Sequence, residues 1–366
     1  MCGIVGYVGY DEAAGKIIEG LKKLEYRGYD SSGIAILSDK GIELNKCKGE
    51  IKNLENMIAG RIPSGTCGIG HTRWATHGAP SDVNSHPHMD QSGRVALVHN
   101  GIVENYVELK EALINEYGIK FKSETDSEVI AQLVGVKYNA NGGDLEKAVY
   151  DATKEMRGTY AIGVIAEDTP DKIVAYRKEA PLIAGLGKKS NFIASDIPAL
   201  LKYTNDIFLI ENDEMVICTP DSITIKDKDG KEVKREAMKI TWSVEDAEKG
   251  GYEHFMLKEI NEQPKVVAET LNRRIDEDGK IKLDGINLTK EELDKYNKIY
   301  IVACGTAYHA GLVGKYVIEK MAGIAVEVDV ASEFRYRDPF IDEKTLFIAI
   351  SQSGETIDTL MSLRLA

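Results

Sequence analysis

The apolar pattern changes character part-way along the chain, and that change limits the folds open to it. Up to about residue 240 the apolar stretches are short and closely spaced: 3–8, 34–37, 42–46, 67–71, 94–98, 159–166, 173–177, 191–194, 207–210, 215–218 and 222–226. Helical periodicity interrupts them near 12–25, 104–117, 126–138 and 144–156. Many strands with few interposed helices predict antiparallel sheets packed by helices. Beyond residue 254 the pattern differs. A helix-like stretch over 254–275 contains Pro264, a predicted kink or restart. Strands at 299–303, 325–330 and 346–350 then alternate with helical stretches, the signature of a parallel, doubly wound sheet. Residues 241–253, polar and carrying Gly250-Gly251, read as a linker. The expected organisation is a domain over 1–240, the linker over 241–253 and a second domain over 254–366.

The first of these strands is preceded by Cys2. If Met1 is trimmed, one residue carries both a thiol and the chain's α-amine. An ordinary thiol titrates near about 8.5 and an α-amine near about 7.7–8.0, so the amine can take the thiol proton. The alternative is a small apolar residue opening a buried strand, the usual place of free cysteine.

Net charge is −13 and there is no long basic run, which argues against nucleic acid or an anionic membrane surface as a partner. Five scattered cysteines without CxxC spacing favour a reducing, cytoplasmic setting and no structural zinc. The first ten residues lack a basic leader and Asp11-Glu12 follow at once, unlike a signal peptide. No run of eighteen apolar residues predicts a membrane span.

Several polar groupings suggest chemistry. His71-Thr72-Arg73-Trp74-Ala75-Thr76-His77-Gly78 contains an arginine able to clamp a carboxylate in bidentate fashion. Its histidines, with His86-Pro87-His88, lack the acidic or cysteine ligands that would complete a metal shell, so no metal is expected. His99-Asn100-Gly101 follows the strand at 95–98 and has two readings. It is a hairpin turn, or a pair of N–H donors for an oxyanion. Thr125-Asp126-Ser127-Glu128 opens a helix as a capping box. Asp126 either complements the helix dipole or faces a ligand ammonium. In the second half, Cys304-Gly305-Thr306-Ala307 and Ser351-Gln352-Ser353-Gly354-Glu355-Thr356 are strand-to-helix junctions rich in glycine and hydroxyls, suited to an anion or to simple capping.

Taken together and in order, Cys-Gly-Ile-Val-Gly at the N-terminus, Tyr-Arg-Gly-Tyr-Asp-Ser, His-Thr-Arg-Trp-Ala-Thr-His-Gly, His-Asn-Gly and Glu-Thr-Asp resemble the N-terminal-nucleophile glutaminases over about the first 240 residues. That resemblance implies an αββα sandwich, an α+β fold, in which Cys2 attacks the glutamine side-chain amide to give a thioester and ammonia. It further implies that Asn100 and the Gly101 N–H hold the oxyanion. Arg73, Thr76 and His77 would bind the glutamine carboxylate end and Asp126 its amine. Trp74 would gate ammonia, and Arg27 would lie near the nucleophile. No cofactor is implied. The second half is similar to sugar-isomerase domains, with Thr306, Ser351, Gln352, Ser353 and Thr356 around the phosphate of fructose 6-phosphate. Ala307 stands where serine is frequent in that family. The family continues past the equivalent of Ala366, so the second domain is expected to be an incomplete doubly wound α/β unit. The chain is then expected to hydrolyse glutamine without aminating a sugar, and the full-length form to be a homodimer. Phosphoribosyl amidotransferases share a similar first domain, but no pyrophosphate loop is visible here. A sugar-phosphate sensor with a silent glutaminase is the non-enzyme alternative.

Overall fold

A computed structural model describes residues 2–75, 78–241, 251–272, 274–275, 279, 281, 283, 286, 288–352, 354 and 356–366, with Phe255 by its backbone alone. Thr76, His77, Ser353 and most of the expected linker lie outside the described residues. The chain divides into two compact units, Met1–Glu248 and Lys249–Ala366.

Among the described residues the first unit has fourteen strands: β1 (Gly3–Gly9), β2 (Ser31–Ser38), β3 (Gly41–Lys48), β4 (Cys67–Arg73), β5 (His88–Met89), β6 (Val95–Val103), β7 (Gly158–Ala166), β8 (Ile173–Lys178), β9 (Ile183–Leu186), β10 (Ser190–Ala194), β11 (Asp206–Leu209), β12 (Glu214–Cys218), β13 (Ile223–Lys226) and β14 (Met238–Lys239). Its helices are α1 (Ala13–Lys23), α2 (Ile51–Ile58), α3 (Tyr106–Tyr117), α4 (Asp126–Ala140) and α5 (Leu145–Glu155). The strands form two antiparallel sheets, ordered β14-β11-β9-β10-β1-β4-β2-β3 and β13-β12-β8-β7-β6-β5.

Three apolar cores define four layers. Helices α1 and α2 cover the outer face of the first sheet, where Ile17, Leu21 and Leu54 meet Val5, Tyr7 and Ile36. Helices α3 to α5 cover the outer face of the second, where Leu113, Val134 and Val149 meet Leu97 and Val164. Between the sheets Ile4, Val8 and Ile69 pack on Val98, Ala161 and Ala175. The period of two sends Ile4 and Val8 to one side of β1 and Val5 and Tyr7 to the other. Both sides are apolar because β1 lies inside its sheet with a layer on each face. The result is the αββα sandwich.

The second unit carries β15 (Lys298–Ala303), β16 (Ala325–Val330) and β17 (Thr345–Ile350) in a parallel sheet of order β16-β15-β17. Its helices are α6 (Phe255–Asn272), α7 (Lys290–Leu293), α8 (Gly305–Ala322), α9 (Ala331–Tyr336) and α10 (Ile357–Leu365). Ile318 of α8 packs beside Ile299 and Ile301 on one face, while Ala331 and Phe334 of α9 pack on Tyr300 and Val302 on the other. Pro264 lies inside α6, which runs through it as one helix rather than restarting. No described helix is long and apolar enough to cross a membrane.

Candidate functional site

Strand pairing puts Cys2 where it is. β1 and β4 are antiparallel with Gly3 opposite Thr72, so the residue before β1 comes beside the residues that end β4. The Trp74 N–H donates to Cys2 Sγ at 3.2 Å, and the thiol reaches back to the Trp74 carbonyl at 3.5 Å. Burial pushes the Cys2 thiol up from its ordinary value, against the pull of the Trp74 amide and the charges of Arg73 and Arg27. The resting sulfur is therefore a thiol that needs a base.

The second sheet supplies the opposite wall. Asn100 Nδ2 donates to the Cys2 carbonyl at 3.1 Å. Asn100-Gly101 is not a hairpin turn: both residues sit inside β6, paired with Ala161 and Tyr160 of β7. Gly101 holds φ at +121°, and a Cβ there would lie 2.0 Å from the Thr159 carbonyl oxygen. The strand can therefore turn its backbone toward the cavity only with glycine.

Asp126 is the first residue of α4, with one carboxylate oxygen accepting from the Val103 N–H at 3.0 Å and the other from the Ser127 hydroxyl at 3.3 Å. Arg73 donates to the Gly78 carbonyl at 3.0 Å and is attracted by the charges of Asp126 and Asp30. Cys2, Arg73, Trp74, Gly101 and Asp126 line one cavity. A thiol, a guanidinium and a carboxylate around one space complement an amino acid in charge: its two ends are matched, and its side chain faces the thiol.

Trp74 is exposed and meets Tyr29 edge to face at 5.5 Å between ring centroids. Arg27 is buried and pairs with Asp196 at 2.6 Å, and Tyr26 donates to the same carboxylate oxygen. Arg27 thus reaches Cys2 through its charge, while its hydrogen bond ties the loop to the segment after β10.

The expected capping box is half formed. Thr125 Oγ1 accepts from the Glu128 N–H at 3.2 Å, but the Glu128 carboxylate takes the N–H groups of Lys122 and Ser123.

Sequence reasoning missed His86, His99, Thr125 and Ser127 as lining residues of the same cavity. The histidines do not converge lone pairs as metal ligands would. His71 and His86 stack at 4.0 Å, and His86 meets His88 at 4.8 Å. Burial holds His71 down at about 3 and His86 and His88 well below the ordinary value, so all three are neutral. The sequence offered His86-Pro87-His88 only as candidate metal ligands, and nothing local says which way these rings face.

In the second unit, Ala303 of β15 lies opposite Ile350 of β17. The junctions that begin at Cys304 and Ser351 therefore emerge side by side at the carboxyl ends of two adjacent strands. The strand order reverses there, since β16 lies on one flank of β15 and β17 on the other. Ligands of open α/β sheets bind at such a switch point. Ser351 Oγ accepts from the Gly354 N–H at 3.0 Å, and Thr356 precedes α10 without capping it through its side chain. Thr306 lies in the first turn of α8, and Gln352 lies in the junction loop.

A glutamine amidotransferase domain model matches residues 71–202, and an SIS domain model matches residues 292–366. Three bacterial proteins named glutamine–fructose-6-phosphate aminotransferase [isomerizing] match the whole chain. They come from Clostridium tetani (59% identical), Clostridium perfringens (58%) and Thermus thermophilus (50%). The chain spans 59% of the length of each. Among solved structures, a glutamine phosphoribosylpyrophosphate amidotransferase from B. subtilis aligns with a TM-score of 0.54 at 20% identity, covering 96% of this chain and 69% of that one. A second, described as the allosteric regulatory enzyme of purine biosynthesis, aligns with a TM-score of 0.57 at 19% identity and the same coverages. These two likenesses concern the fold.

Proposed function

The chain belongs to the glutamine–fructose-6-phosphate aminotransferase family, and from that premise we propose that its first unit releases ammonia from glutamine at Cys2. The reading rests on one observation: Cys2, Arg73, Trp74, Gly101 and Asp126 share a cavity, with the Asn100 amide on the Cys2 backbone.

In this reading, removal of Met1 frees the Cys2 amine, which takes the thiol proton. Arg73 holds the glutamine carboxylate, with Thr76 and His77 assigned beside it, and Asp126 holds the ammonium. The sulfur adds to the side-chain carbonyl carbon, and the oxygen gains the electron pair of the C=O bond. Asn100 Nδ2 spends one N–H on the Cys2 carbonyl and has a second for that oxygen, and the Gly101 N–H serves beside it. The proton held on the α-amine passes to the leaving nitrogen, the C–N bond breaks, and ammonia departs. Water then adds to the thioester by the same route, giving glutamate and the free thiol. Trp74 is assigned to the ammonia exit, and Arg27 to holding its loop and favouring the thiolate.

The second unit is assigned to fructose 6-phosphate. Thr306, Ser351, Gln352 and Thr356 at the switch point, with Ser353 assigned beside them, would bind the phosphate, and helix N-termini would supply charge stabilisation in a chain of net charge −13. Amination of the sugar, the homodimer and a cytoplasmic setting without nucleic-acid or membrane partners complete the reading for the family-length protein.

The test is glutamate production from glutamine by chain whose N-terminal mass shows Cys2 exposed. Cys2→Ala is expected to lower the rate at least about 1,000-fold. A processed parent that turns over no glutamine, or a Cys2→Ala variant that keeps the parent rate, overturns the proposal.

A further inference from the structure

We propose that His71 is a positioning residue for the glutaminase reaction: it sets which end of the Asn100 carboxamide faces the reacting oxygen. The inference rests on the reading of Asn100 as an oxyanion donor.

His71 lies on β4 and Asn100 on β6, so the contact spans the two sheets. His71 Nε2 is 3.0 Å from the His99 carbonyl oxygen and 3.0 Å from Asn100 Oδ1. A carbonyl oxygen only accepts, so Nε2 carries the proton and donates to both. His71 Nδ1 is buried and has no hydrogen-bond partner among the described residues, as befits the nitrogen holding the lone pair. The tautomer is thus fixed by its surroundings.

An asparagine carboxamide is nearly symmetric in shape, and rotation by half a turn would exchange its oxygen and nitrogen. Here Oδ1 is drawn inward by His71, and Nδ2 is left pointing at Cys2, where it meets the backbone carbonyl at 3.1 Å. The flipped amide would set Nδ2 against the His71 N–H and Oδ1 against the Cys2 carbonyl. That arrangement loses both hydrogen bonds and puts an oxygen where a negative charge develops. The ring itself is held flat against His86 at 4.0 Å with 14° between planes, and both histidines are buried, so His71 has no room to swing away.

The experiment compares His71→Asn and His71→Gln, alone and with Asn100→Ala, in processed chain hydrolysing glutamine. A glutamine Nε2 can stand where the imidazole Nε2–H stood; an asparagine amide falls short of it. His71→Asn is expected to lower kcat about 30-fold or more with KM within about twofold, because the donor acts in the transition state. His71→Gln should recover about tenfold of that loss. In the Asn100→Ala background His71→Asn should cost about twofold or less, since one residue acts through the other. Alkylation of Cys2 by iodoacetamide forms no oxyanion, and its rate in His71→Asn should match the parent.

Equal losses for the asparagine and glutamine variants, losses that multiply in the double variant, or an alkylation rate that falls with kcat would each overturn the inference. An Asn100→Ala variant as fast as the parent removes the oxyanion reading itself. A slow Asn100→Ala beside an unimpaired His71→Asn removes the role of His71 alone.

Discussion

At Gly101 a single missing carbon lets the strand bend into the site. With φ at +121° and only 2.0 Å from a would-be Cβ to the Thr159 carbonyl oxygen, any side chain must push β6 away from β7. Gly101→Ala is expected to cost about 2 kcal/mol or more in urea unfolding and to remove glutamine turnover. A variant with parent stability would show that the strand pair yields more easily than its geometry implies. Asn-Gly was legible in the sequence as a special backbone position, but not as which kind. A turn and a mid-strand bend place the same demand on glycine, and only the pairing partner Tyr160, 59 residues on, separates them. Cys2 was legible from its thiol and α-amine as one of two readings, nucleophile or small apolar residue, and the resemblance chose between them. The desolvation of its sulfur came only with the fold, and it works against reactivity. Because the thiol is raised, iodoacetamide labelling of Cys2, followed by mass spectrometry, is expected to climb with pH to a midpoint above the ordinary thiol value of about 8.5. A midpoint below it would mean that the α-amine and the two arginines outweigh desolvation.

Elements were read from period, and period says nothing of what joins them. Most strands and helices of both units fall close to the expected spans because apolar faces at spacings of two and 3.6 are local properties, whereas α2 and β9 fall under no expected span. The ties that hold the site walls are not local. Lys46 on β3 donates from its ammonium to the carbonyls of Val83 (3.2 Å), Ser85 (2.6 Å) and Pro87 (3.1 Å), fastening the segment that carries His86. Burial brings this lysine down to about 8. Lys46→Met keeps the apolar stem and strands three acceptors, so a loss of about 2–4 kcal/mol in urea unfolding is expected. A loss under about 0.5 kcal/mol would mean that water replaces the ammonium at no cost. Thr125 is a similar knot: its hydroxyl caps α4 and also meets His88 Nε2 at 3.1 Å and Ser123 Oγ at 3.0 Å. The sequence announced the cap, since cap and capped residue are three apart. It was silent on His88, 37 residues earlier.

For the molecule as a whole, layering turns histidines into an acid-sensitive feature. The αββα arrangement buries His71, His86 and His88 around the same site, and no acidic side chain hydrogen-bonds to them among the described residues. Each is held neutral in the folded state, His71 down at about 3 and the others well below 6.5, whereas each titrates near about 6.5 once unfolded. A folded value below the unfolded one means that acid is taken up by the unfolded chain first. Stability is therefore complete above about pH 6.5 and falls as pH drops from there toward the folded values. Each histidine contributes a slope of about 1.4 kcal/mol per pH unit once its unfolded form is protonated, so three give about 4 kcal/mol per unit near pH 5.5. Carboxylates held down by lysines, such as Glu146 and Asp151, act in the same direction but only below their ordinary values of 4.5 and 3.8. The interval from pH 6.5 to 5 thus isolates the histidines. Cys67 and Cys218 lie fully buried in the core between the sheets and report on this unit alone. Their urea-dependent exposure to dithiodipyridine, which reacts in acid, should shift to lower urea between pH 6.5 and 5 with a slope of two to three protons, as about three buried histidines require. A slope below one proton would mean that the stack is already charged at neutral pH, and the packing of His71 on His86 would then need a counter-charge that the described residues do not supply.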